Sequence, residues 1–105
     1  MIIKVPRKVK MASHTYGIKC DSRQSLSAGT CGLTRHIYQE IIMDPSWPLS
    51  QKNQTLLHEV MHLIERFWVV KLDDNDIDRI AEGLAVFLFD NLGIELDWSD
   101  VDLPD

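Results

Sequence analysis

The sequence predicts an α+β fold, a small N-terminal β-sheet of about three strands packed on two helices. Three observations predict it. The first 44 residues carry short apolar alternations separated by Ser, Gly and Thr. Residues 50 to 92 carry apolar side chains at helical spacing. A Pro-rich break, Asp44-Pro45-Ser46-Trp47-Pro48, divides the two halves. With 105 residues, 45% of them hydrophobic, the chain suffices for one domain around one core.

The elements follow in order. Ile3, Val5, Val9 and Met11 give partial alternation, with Pro6 pushing the first strand toward a sheet edge. Residues 16–20 are a second, short strand. Residues 21–32 read as a loop. The best strand spans residues 33–44, with Leu33, Ile37, Ile41 and Met43 on one face and Thr34, His36, Tyr38 and Glu40 on the other. Ser50 is a candidate N-cap for a helix running to about Val70. Its apolar face is read as Leu56, Leu57, Val60, Met61, Ile64, Phe67 and Trp68. Asp73 to Asp76 supplies a cap and negative charge for the next helix, which Gly93 closes. Residues 94–105 are acidic without helical pattern, a tail or a short extended segment.

Net charge is −5, unevenly spread. Residues 1–20 hold Lys4, Arg7, Lys8, Lys10 and Lys19 and no acid, whereas residues 73–105 hold eleven acids and one base, Arg79. Two such ends attract each other, although two solvated surfaces is the plainer reading. The basic end is too short and too poor in aromatics to argue for nucleic acid. No apolar run reaches the roughly 20 residues a membrane span needs. Charges occupy the N-terminus where a signal peptide is apolar, so a cytoplasmic protein is expected. Cys20 and Cys31 form no CxxC pair and are expected as free thiols, with a hairpin disulfide as the alternative.

The chemistry lies in His58-Glu59-Val60-Met61-His62. On a helix, positions i and i+4 stack on one face, so both imidazoles reach one ion. Glu59 then sits beside that ion as a general base. Zinc (one Zn2+ ion) is the expected metal, and it requires a third protein ligand. His14 and His36 are the remaining histidines. Glu82, a lone charge among Ile80, Ala81, Gly83, Leu84 and Ala85, is the favoured candidate, since an isolated acid on an apolar face is costly unless paired. Gly83 beside it is expected to let two backbones approach.

His58, Glu59 and His62 with a downstream helical Glu82 resemble the gluzincin pattern of zinc metallopeptidases. The short chain, with residues 55–62 and 81–85, resembles the single-domain minigluzincins and similar peptidases of phages and prophages, over about residues 32–93. The resemblance implies a single minimal zincin-like domain over residues 1–105, acting on a peptide or protein substrate. Many gluzincins place an Asp four residues after the glutamate ligand; here Val86 stands there, and Asp78 is the candidate in its place. For the oxyanion partner, His36, Tyr38 and Tyr16 remain open. In minigluzincins a C-terminal segment can hold the enzyme latent, which the resemblance extends to residues 94–105. An extended substrate is expected to pair with the strand 33–44 if that strand is an edge. The rival readings are a catalytically silent metal-binding or regulatory interaction module and a metal-free helical domain.

Overall fold

The computed structural model describes residues 1–21 and 31–101. Among the described residues six strands, β1 (Ile2–Lys4), β2 (Lys8–Met11), β3 (His14–Cys20), β4 (Gly32–Arg35), β5 (Glu40–Met43) and β6 (Glu95–Asp97), accompany two α-helices, α1 (Leu49–Trp68) and α2 (Asp74–Ala85). The fold is α+β, as the sequence predicts. Two sheets replace the single expected one. Four strands run in the order β2-β3-β5-β4, and β1 pairs in parallel with β6.

Pro6 explains the first difference. It fixes φ and has no N–H, so residues 2–11 cannot continue as one strand. The chain turns there and Val5 drops into the core, its N–H donating to the Asp97 carbonyl at 2.8 Å. The second difference is in residues 33–44, a hairpin rather than one strand. β4 and β5 pair antiparallel with Arg35 opposite Glu40, joined by a 3-10 turn at His36–Tyr38 and by Gln39 at φ 49°. Period two was already broken there, because the apolar face also holds the polar Arg35 and Gln39. Ile37 stands exposed at the tip, while Ile41, Ile42 and Met43 are buried. β4 is an edge strand. Most of the expected 21–32 loop, residues 22–30, lies outside the described residues.

α1 starts at Leu49, and Pro48 at its N-cap makes no side-chain capping bond, so Ser50 is not the cap. Its most buried residues are Lys52, Asn53, Glu59 and Leu63, with Leu56 and Phe67 against the core. The core-facing stripe therefore runs through positions 56, 59, 63 and 67, and the expected Ile64 and Trp68 are exposed. Asp73 caps α2 as expected, its Oδ1 accepting the Asp76 N–H at 3.0 Å. α2 buries Ile77 and Ala81, continues as a π-helical segment, Val86–Asn91, and closes at Gly93 with φ 69°.

Residues 95–101 are not a tail but the extended alternative. β6 completes the parallel pair, and Trp98 and Val101 enter the core with Val5, Tyr16, Ile18 and Leu63. Apolar burial outweighs the acidity of the segment, whose Asp and Glu side chains stay at the surface. Residues 102–105 lie outside the described residues. No helix among the described residues is long and apolar enough to cross a membrane.

Neither cysteine is in a disulfide; Cys31 is buried and Cys20 half-buried. Cys20 and Gly32, the neighbour of Cys31, both lie opposite Met43, on either side of β5. Two strand spacings come to about 9.6 Å, beyond the roughly 7 Å a disulfide tolerates between Cα atoms.

Candidate metal centre

α1 sets the centre by its own periodicity. His58 and His62 are one turn apart, and their Nε2 atoms approach to 3.0 Å. The outward nitrogens are both engaged. His58 Nδ1 lies 2.7 Å from Asp78 Oδ1, delivered by α2, and His62 Nδ1 lies 3.0 Å from Glu65 Oε1. A carboxylate accepts, so each Nδ1 carries the proton and each Nε2 presents its lone pair. The 3.0 Å approach of the two Nε2 atoms is a hydrogen bond when one ring carries a second proton, and is otherwise a pair of lone pairs that a metal ion would bridge. Nitrogens bound to tetrahedral zinc at about 2.0–2.1 Å are about 3.3 Å apart, so the donor set fits such an ion.

Glu59 points from the same helix toward the sheet and is buried. Together with the two histidines it forms a group whose ligand atoms lie within 4.8 Å of one another. Its Oε2 accepts from the Thr34 hydroxyl at 3.2 Å, across from β4. Burial pushes the Glu59 carboxyl up from the ordinary glutamate range, opposed by His58, His62 and the Thr34 hydroxyl. A carboxylate so placed holds a proton more readily than a surface one, the property a general base near neutrality needs. A cleft of about 280 Å³ opens here, lined by His58, Glu59, Asp78, Thr55, Trp47 and Gly32 among others. None of residues 94–101 lines it.

The remaining candidates fall elsewhere. Glu82 is exposed, one turn beyond Asp78 on α2, and lines a separate groove of about 360 Å³ with Ser50, Asn53 and Phe89. Among the described residues the cluster comprises His58, Glu59 and His62, with Glu82, His14 and His36 outside it. Nor does α2 approach another backbone at Gly83, around which 4 Å is open. His14 stacks on Phe67, with Gln39 Nε2 at 3.2 Å from its Nδ1. His36 lies 2.9 Å from the Tyr16 hydroxyl through its Nδ1. Burial, then Arg66 and His62, lowers the His36 pKa from the ordinary histidine value. Tyr38 is exposed at the hairpin.

Sequence reasoning missed Glu65 and Thr34. The spacing of three between His62 and Glu65 was a usable signal. Thr34 depends on how the sheet meets α1, which local spacing does not encode. Comparison with protein-family models, curated proteins and solved structures finds no match to this chain.

Proposed function

We propose that the chain is a zinc-dependent peptide hydrolase of the gluzincin kind. The observation that carries the reading is the pair of converging Nε2 atoms, each imidazole held from behind by a carboxylate, with buried Glu59 alongside. His58 and His62 would supply the nitrogen ligands. Asp78 holds His58 at Nδ1, the nitrogen turned away from the ion, so it would orient that ligand rather than bind the metal, and Glu82 also stands outside the cluster. When bound, such an ion lowers the pKa of water to about 7 and polarises a carbonyl.

The protein's own groups do the rest. Glu59 takes a proton from the attacking water and returns it to the leaving amine. Thr34 holds the Glu59 carboxylate from the β4 side. An extended peptide would add beside β4, the last strand in the sheet order, whose Gly32 lines the cleft, and so pass its backbone along the centre. His36, held by the Tyr16 hydroxyl, would be the group that steadies the developing oxyanion.

Glu59→Gln decides between this and a silent metal-binding module. Peptide hydrolysis is expected to vanish while the variant retains one zinc per chain. Turnover surviving in Glu59→Gln, or a zinc-loaded wild type that cleaves no member of a degenerate peptide library, would overturn the reading. Zinc titration separates the two acids of α2, with affinity about 10- to 100-fold weaker in Asp78→Asn, the usual loss for an orienting partner, and unchanged in Glu82→Gln.

A further inference from the structure

Glu65 lies in the last full turn of α1 and makes contacts in two directions. Its Oε1 lies 3.0 Å from His62 Nδ1, and its Oε2 accepts the Leu72 N–H at 3.0 Å. Its carbonyl oxygen also accepts the N–H groups of Val69 and Val70. One residue thus ties an imidazole of the centre to the helix end and to the turn that follows. That turn is not one its own sequence favours. Val69 sits at φ 54°, a left-handed conformation that β-branched residues rarely adopt. Side-chain exposure of Glu65 is only 18%, so its bonds are screened less than those of a surface pair. Beyond the turn, α2 carries Asp78 to His58.

We infer that Glu65 is a positioning residue that couples ion binding at His62 to the turn between α1 and α2. The inference rests on the metal reading above. An ion drawing on His62 Nε2 makes the Nδ1–H a stronger donor, which tightens the bond to Glu65 Oε1. A carboxylate held more firmly at one oxygen holds the Leu72 N–H better at the other. The coupling is reciprocal, so a turn fixed by Glu65 presents His62 in the binding tautomer and orientation. The two carboxylate oxygens are both needed. In Glu65→Gln one amide oxygen serves His62 or Leu72, and the NH2 group opposes the remaining donor.

The test uses the full chain, with zinc alone as the probe, in two measurements. Competition with a chromophoric chelator is expected to show zinc affinity about 10- to 100-fold weaker in Glu65→Gln than in wild type, the usual loss for such outer partners. Hydrogen exchange at the Leu72 amide is expected to slow on zinc addition in wild type and to lose that response in Glu65→Gln. The exchange measurement on wild type stands even if the variant folds poorly. Wild type that binds zinc with unchanged Leu72 exchange overturns the coupling alone. Weaker zinc binding in Glu65→Gln with the Leu72 response intact reduces Glu65 to orienting His62 and also overturns it. Wild type that takes up no zinc overturns the metal reading itself.

Discussion

Two glycines show how little a residue's identity says without its surroundings. Gly32 begins β4 where the strand edge descends onto α1. A Cβ there would lie 2.7 Å from Thr55 Cγ2 and 3.0 Å from Met43 Sδ. Gly83 instead faces open space in exposed helix. Opposite outcomes are therefore expected from the same substitution. Gly32→Ala should cost about 1–3 kcal/mol by overpacking, and Gly83→Ala should stabilise by about 1 kcal/mol through helix propensity. Urea unfolding of both variants checks the pair, and a stabilising Gly32→Ala would contradict the packing described. Cys31, the neighbour of Gly32, carries a pH prediction. Burial pushes its thiol pKa up, the Thr55 hydroxyl opposes this, and Asp44 adds to it. The folded protein thus keeps the thiol proton to higher pH than the unfolded chain does. Stability from this group is present below the ordinary thiol range and is lost as pH rises through it toward the folded value. The urea midpoint should decline above about pH 8.5, the ordinary thiol pKa, and decline less in Cys31→Ala. Equal declines would remove Cys31 as the cause.

At the scale of elements, legibility tracks locality. His58, Glu59 and His62 were readable because one helix sets their relations and its period is fixed. The cap at Asp73 and the closing Gly93 were readable for the same reason. Asp78 as the partner behind a histidine was readable too, whereas the place of Glu82, one turn further along α2, was not, because only the register of α2 on α1 sets it. The core-facing stripe of α1 was misjudged because apolar residues occupy much of its circumference, while Lys52, Asn53 and Glu59 are buried. Likewise, an apolar pattern interrupted at Arg35 and Gln39 was read as one strand where the chain makes a hairpin. The end of α1 offers a test at this scale. Val69 is 83% exposed and held at φ 54°, so its side chain contributes little burial and a left-handed backbone strain of about 1–2 kcal/mol. Val69→Gly should relieve part of that strain and raise the thermal midpoint. A lowered midpoint would mean that the valine side chain contributes more than its exposure indicates.

Across the whole molecule, the basic N-terminal residues meet residues 95–101, the less plain of the two readings their opposite charges allowed. Lys4 Nζ lies 3.8 Å from Asp100 Oδ1, and Arg7 Nε donates to the Asp100 carbonyl at 3.1 Å. The ion pair is well exposed and worth at most about 1 kcal/mol. The tighter hold is apolar and local to Trp98. Its ring is buried, its Nε1 donates to Asn53 Oδ1 at 2.8 Å, and Lys52 Nζ lies 5.0 Å from its centroid. Asn53 and Lys52 both belong to α1, the helix that carries His58. The C-terminal segment is thus a structural support for the helix that carries His58 and His62. An acidic latency tail would make truncation after Gly93 activating, with the fold intact. The packing requires the reverse. Losing a buried Trp side chain alone costs about 3–5 kcal/mol, against a total stability of about 5–15 kcal/mol for a domain. Removal of β6 and Val101 in the same step adds to that loss. The truncated chain should therefore show no cooperative melting by circular dichroism and no zinc uptake at stoichiometric metal. Trp98→Phe is the milder probe, keeping an aromatic ring while leaving Asn53 Oδ1 without its donor. It should stay folded, at a cost of about 1–3 kcal/mol. A truncated chain that melts cooperatively at the wild-type temperature would show that residues 94–105 are dispensable, and that α1 is held by the sheet alone.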